Sequence, residues 1–222
     1  SPGSPTLLSE LQLDYVGFAI KISPDGKTAY VAGNNEVHVI DITNRSTPSL
    51  IATFPNLSES FIRDIALSVS GSIAYVTVSD SRLKVFSVSQ PSNPTLLGSF
   101  ADTNNHGTGV ALSPDGQYAY LCGRKLQVID ISVNSSPTLV LEMPLPPGQS
   151  FYPNDVEITG DGNTIFVSYI NAVNAGILEI IDVSSPTNPT VLVRIDAPTA
   201  FSELVLNNDS TKLYAPGNNF NP

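Results

Sequence analysis

Residues 20–42, IKISPDGKTAYVAGNNEVHVIDI, recur in altered form about every 45 residues along the chain, and that period limits the folds open to it. The aromatic of each copy stands at Tyr30, Tyr75, Tyr120, Phe166 and Tyr214, with separations of 45, 45, 46 and 48 residues. Each copy begins with a short alternating segment, in which Ile20 and Ile22, Ile65 and Leu67, Val110 and Leu112, Val156 and Ile158, and Leu204 and Leu206 hold the same two places. A period of two is the mark of a strand with one face buried.

A tight turn follows at Pro24-Asp25-Gly26, Ser70-Gly71, Pro114-Asp115-Gly116, Gly160-Asp161-Gly162 and Asn208-Asp209-Ser210. Proline presets its own φ, aspartate bonds back to the chain and glycine accepts a positive φ, so these segments predict hairpin turns. Asp25, Asp115 and Asp161 are therefore turn formers; the oxygen-rich DxDxDG run of a calcium loop is absent. The second strand carries the aromatic, and Cys122, the only cysteine, takes a slot that other copies fill with Ala32, Thr77, Ser168 and Pro216. That predicts a small buried side chain, and one cysteine allows neither an intrachain disulfide nor a cysteine-built metal site.

The third strand reads VHVIDI, LKVFSV, LQVIDI and LEIIDV. His38 stands where the other copies have Lys84, Gln127 and Glu179, which predicts a polar-face strand position rather than a ligand or base. A Pro-rich loop then leads to a fourth strand at residues 50–54, 96–100, 139–143 and 191–195. Four strands on short connections, repeated in series, predict an all-β fold, a β-propeller of four-stranded antiparallel blades of about 45 residues. A β-sandwich would lack the strict four-part repeat.

SPDGKTAYVA and SPDGQYAYLC resemble the YVTN-type repeats of bacterial and archaeal surface-layer propellers, and LQVIDIS, with NPTLLGSF in the neighbouring copy, resembles the LVIVD repeat. The resemblance covers essentially the whole chain and implies a propeller of an exported or cell-surface protein. It implies no activity, because the matching residues are strand, turn and core positions. The second copy departs from the pattern with Ser87 in place of the aspartate found at Asp41, Asp130 and Asp182, and the fourth adds residues around Tyr169 to Gly176, between its second and third strands.

Blades are expected at residues 17–54, 61–100, 106–143 and 152–195. Residues 1–11 match the end of a blade, with Leu7 to Leu11 as a fourth strand, and residues 201–222 match the start of an incomplete one. Five blade equivalents result, the fifth short of a third strand. Two expectations follow: the chain is part of a longer propeller, or a slot in a five-bladed ring receives a strand from an identical subunit or another protein partner.

Twenty Asp and Glu against ten Lys and Arg give a net charge of −10, which argues against nucleic acid and anionic lipid as partners. No apolar run approaches the roughly 18 residues of a membrane-spanning helix, and no leader pattern is present in the sequence. Scarce Lys and Arg with abundant Ser, Thr, Asn and Pro suits an extracellular or cell-surface protein. Asn44, Asn56, Asn134 and Asn208 begin Asn-x-Ser triplets that would accept glycans in a eukaryotic secretory pathway.

Eleven residues before each aromatic stand Ala19, Asp64, Gly109, Asp155 and Glu203, so three copies place a carboxylate where loops gather around a propeller axis. Asp64, Asp155 and Glu203 are the candidate metal ligands, with calcium as the ion; Arg63, His106 and Asn154 are the candidate polar residues at the channel mouth, where a glycan is the alternative ligand. The bland alternative is a polar channel whose groups are hydrated or paired with one another. His38 and His106 are the only histidines, and neither lies beside a GxSxG nucleophile motif or a phosphate loop. No catalytic residue is assigned. The function expected is a noncatalytic structural or protein-interaction module; a carbohydrate- or cation-binding propeller and a propeller hydrolase or lyase are the alternatives.

Overall fold

A computed structural model describes residues 6–14, 16–57, 61–79, 82–102, 107–147, 151–171 and 173–217. The first blade is β1 (Gly17–Ile22), β2 (Thr28–Gly33), β3 (Val37–Asp41) and β4 (Ser49–Thr53). The second is β5 (Ile62–Leu67), β6 (Ile73–Val78), β7 (Arg82–Ser87) and β8 (Thr95–Ala101), and the third β9 (Val110–Leu112), β10 (Tyr118–Leu121), β11 (Leu126–Asp130) and β12 (Thr138–Met143). The fourth is β13 (Phe151–Ile158), β14 (Thr164–Asn171), β15 (Gly176–Asp182) and β16 (Thr190–Ala197). In each, neighbours in sequence are neighbours in the sheet, and every pair is antiparallel. A fifth unit holds, among the described residues, β17 (Val205–Leu206) and β18 (Leu213–Tyr214), with Phe201 bridged to Gly217. First strands lie side by side, β1 against β5, β5 against β9, β9 against β13 and β13 against β17. This is a propeller arrangement with first strands innermost.

The turns form as their residues dictate. Asp25, Asp115 and Asp161 accept the N–H of Lys27, Gln117 and Asn163 at 3.0 to 3.1 Å, and Gly26, Gly71, Gly116 and Gly162 have φ of 71° to 75°. In the fifth unit Ser210 takes the same role at φ 56°. The extra residues of the fourth copy lengthen strands rather than the loop: β14 and β15 run to Asn171 and from Gly176.

The apolar cores lie between blades. Tyr30, Val39 and Phe54 of the first blade pack with Ile65, Val76 and Phe86 of the second, and the Phe54 and Phe86 rings are 4.7 Å apart. Tyr75 and Val85 meet Val110 and Ile129 across the next joint, and Tyr120 and Val128 meet Val156 and Ile181 across the one after. Cys122 is buried in that last core, as its slot predicted.

Two expectations are corrected. The row holding His38, Gln127 and Glu179 is buried, not solvent-facing. A blade stacked on both sides has no polar face at its middle strands, so polar side chains there must find partners. His38 Nε2 sits 2.8 Å from Glu36, Gln127 Nε2 donates to Asp102 and Glu142 at 2.7 and 3.0 Å, and Arg194 Nε donates to Glu179 at 2.8 Å. Lys84 donates to the Asn56 carbonyl. The second correction concerns Leu7 to Leu11: residues 6–14 form no strand, although the Ser9 hydroxyl donates to the Arg45 carbonyl at 2.6 Å and ties the segment to the first blade.

Candidate functional site

The inner strands bend where they approach one another. The register slips between Gly17 and Ala19, between Ile62 and Asp64 and between Pro153 and Asp155, leaving Phe18, Arg63 and Asn154 as extra residues of three equivalent bulges. Bulges re-aim side chains, and these reach across blade joints. The Arg63 guanidinium lies 5.8 Å from the centre of the Phe18 ring, and Asn154 Nδ2 donates to the carbonyls of Phe201 and Ser202 at 3.0 and 3.2 Å. Thr108, the matching residue of the third blade, donates to the Pro153 carbonyl at 3.1 Å.

In the second and fourth blades the next residue is a carboxylate. Asp64 Oδ1 accepts the N–H of Ile65 at 2.7 Å and Oδ2 that of Val110, on the following blade, at 3.0 Å. Asp155 repeats the arrangement with Val156 at 2.9 Å and Leu204 at 2.6 Å. Gly109 makes room for it, since a Cβ there would stand 2.9 Å from Asp155 Oδ1 and 3.1 Å from its Cα. Two aspartates thus satisfy four backbone donors of the inner strands and of Leu204 just before β17.

A cavity of about 720 Å³ opens among these strands, and Arg63, Asp64, Asn154, Asp155 and Glu203 all line it. Five of the six candidate residues are thereby brought together; His106 lies outside the described residues. Lys21 and Glu157 also line the cavity. Each stands two residues beyond the row of Ala19 and Asp155, so one step of the strand period would have found them. Burial pushes the Asp155 carboxyl up to about 6, against the Leu204 N–H, and the Glu157 carboxyl up to about 7, against the Lys21 charge. Burial raises Asp64 as well, opposed by Lys21 and by the N–H groups of Val110 and Ile65. Glu203 is exposed. Among the described residues no group of three or more His, Cys, Asp or Glu is placed to hold a metal ion. Two carboxylates are engaged by backbone donors, which removes lone pairs a cation would need.

The model of the LVIVD repeat matches residues 16–55, 64–102, 107–143 and 163–197. The chain belongs to the LVIVD-repeat family. No curated protein matches it in sequence. Among solved structures, the LVIVD-repeat chain is similar in fold to a protein of unknown function from Desulfotomaculum acetoxidans, at 18% identity and a TM-score of 0.77, covering 96% of this chain and 68% of that one. It is similar to a protein from Lactobacillus plantarum (17%, TM-score 0.77, 92% and 64% covered) and to the periplasmic gluconolactonase of Pseudomonas aeruginosa (15%, TM-score 0.73, 90% and 63% covered). The LVIVD-repeat chain thus spans about two thirds of the length of these structures, and at such identities they share its fold alone.

Proposed function

We propose that this LVIVD-repeat chain is a noncatalytic interaction module of the cell surface or secreted space, which binds protein through its uncovered sheet faces and edges. The observation that supports this reading is the engagement of Asp64 and Asp155 in the cavity, each held by two backbone N–H groups rather than left free as an acid or base. Scarcity of Lys and Arg and abundance of Ser, Thr, Asn and Pro support the location. Calcium or a glycan at Asp64, Asp155 and Glu203 would have to compete with those backbone donors.

The rival reading is a hydrolase or lyase that uses the carboxylates of the cavity, and the gluconolactonase among the similar folds suggests the substrate to try. Incubation with glucono-1,5-lactone is expected to show only spontaneous ring opening. Turnover above that background, whether or not Asp155→Asn lowers it, overturns the noncatalytic reading.

A further inference from the structure

The four Asn-x-Ser triplets, alike in sequence, are set apart by folding. An acceptor of an N-linked glycan has to lie in a surface loop, with the asparagine amide and the hydroxyl two residues on both within reach of a transferase. Three of the triplets fail that requirement. Asn134 Oδ1 accepts the Tyr75 hydroxyl of the preceding blade at 2.6 Å, so its amide group sits in a joint between blades. Leu57, the middle residue of the Asn56 triplet, is 2% exposed and belongs to the core between the first and second blades. The Asn56 carbonyl is held by Lys84 Nζ, and Ser58 lies outside the described residues. In the Asn208 triplet the Ser210 hydroxyl accepts the Gly160 N–H of the fourth blade at 3.0 Å, at a residue with φ 56°.

Asn44, Arg45 and Ser46 are all exposed, in the loop between β3 and β4. Asn44 Oδ1 accepts the Ser46 N–H at 3.1 Å, and the Asn44 carbonyl accepts the Thr47 N–H at 3.0 Å. Those bonds engage oxygens; among the described residues neither Asn44 Nδ2 nor Ser46 Oγ makes a hydrogen bond. The Ser9 hydroxyl bonds the Arg45 carbonyl and leaves both reacting groups uncovered.

The exposure of these two groups is a property of the repeat and does not depend on where the sequence begins. The second, third and fourth blades have a blade or unit on each side. In them the places of Asn44 and Ser46 are taken by Gln90 and Ser92, Val133 and Ser135, and Ser185 and Thr187, all exposed. Burial reaches only the middle place, where Pro91, Asn134 and Pro186 are half-buried against the preceding blade.

We infer that Asn44 is a site of N-linked glycosylation and that folding closes the other three triplets to it. Asn44 Nδ2 attacks the anomeric carbon of a glycan carried on a polyprenyl diphosphate. The N–C bond forms as the C–O bond breaks, the diphosphate leaves with the bonding pair, and the amide proton passes to a base of the transferase. The inference rests on the secreted or cell-surface location given above and names a modification that such a location permits.

Transfer to the purified, folded chain by an oligosaccharyl transferase that recognises Asn-x-Ser, supplied with its polyprenyl-diphosphate glycan, tests this by intact mass and peptide mapping. A single glycan is expected, on Asn44. Asn44→Gln and Ser46→Ala are each expected to abolish it and Ser46→Thr to retain it, with circular dichroism unchanged in all three. Peptides from a digest that span Asn56 and Asn134 are expected to accept the glycan that the folded chain refuses there. A folded chain left unmodified, a glycan on another asparagine of the folded chain, modification that survives Asn44→Gln, or peptides as inert as the folded chain overturns the inference. Fractionation of the cells that make the protein reads the location separately: a cytosolic protein that still takes the glycan at Asn44 in vitro overturns the location and leaves the acceptor standing.

Discussion

Asp155 Oδ2 accepts the backbone N–H of Leu204 across the joint between the fourth blade and the fifth unit, at 2.6 Å. Its Oδ1 accepts the N–H of Val156 on its own strand, so one side chain closes two backbone donors on two units. Leaving a buried donor unmade costs about 1–3 kcal/mol. Asp155→Ala is expected to lower stability by at least that much in urea unfolding, and Asp155→Asn, which keeps one acceptor oxygen, by less. Equal midpoints for the three proteins would show that the donors find water instead.

The raised carboxyls give a pH dependence with a definite sign. Asp155 moves from 3.8 to about 6 and Glu157 from 4.5 to about 7 on burial. A folded-state pKa above the unfolded one stabilises the fold fully below the unfolded pKa, and that stabilisation is lost as pH rises through the folded value. Asp25, Asp161 and Asp209 act oppositely: hydroxyls of Ser23, Thr159 and Thr211 hold them below 3.8, so their contribution is lost only as pH falls through those lowered values. Tm is expected to climb as pH drops from about 8 to about 5 and to fall in stronger acid. The double variant Asp155→Asn, Glu157→Gln should flatten the upper slope; a slope that persists in it contradicts the assignment.

Tyr75 and Tyr120 occupy the same place in successive blades with different hydrogen bonding. The Tyr75 hydroxyl donates to Asn134 Oδ1 at 2.6 Å, whereas the buried Tyr120 hydroxyl has no partner among the described residues. In the fourth blade Pro186 aligns with Asn134, so the acceptor is missing there. Tyr75→Phe is expected to cost about 1 kcal/mol, and Tyr120→Phe to be neutral or stabilising by up to about that amount. Phe166 already stands at this position in the fourth blade. Thermal unfolding of the two variants side by side decides the matter; a larger loss for Tyr120→Phe would imply an ordered water on that hydroxyl.

Glu179 is 1% exposed and is matched by Arg194 on the adjacent strand. Breaking a fully buried ion pair on one side costs about 3–5 kcal/mol, while replacing both partners with apolar residues is often neutral. The Arg194 side chain is 34% exposed, so Arg194→Met is expected to destabilise by less than that range and the double variant Glu179→Met, Arg194→Met to recover most of the loss. Additive losses in the double-mutant cycle would mean that the two side chains do not act as a pair.

The strand order, the turns and the small buried slot of Cys122 were legible because each depends on neighbours within one copy. The SPDG turn is local chemistry, and the spacing of Ile20 and Ile22 reports the pleat directly. His38, Gln127 and Glu179 were misread for the opposite reason: their type is polar, but whether a row faces water depends on the blade stacked upon it. The candidate carboxylates were found by position in the repeat. Their occupation by Val110 and Leu204 was invisible, since those donors come from another blade.

From sequence alone, period, turn chemistry and apolar alternation determine that this chain makes blades in series, because those signals act over a few residues or one repeat. Tertiary structure decided which polar groups are buried, which acids are held by backbone donors and which sheet faces are left uncovered. Those properties arise only where two blades meet, and the contact between blades joins residues about 45 positions apart, such as Asp64 and Val110.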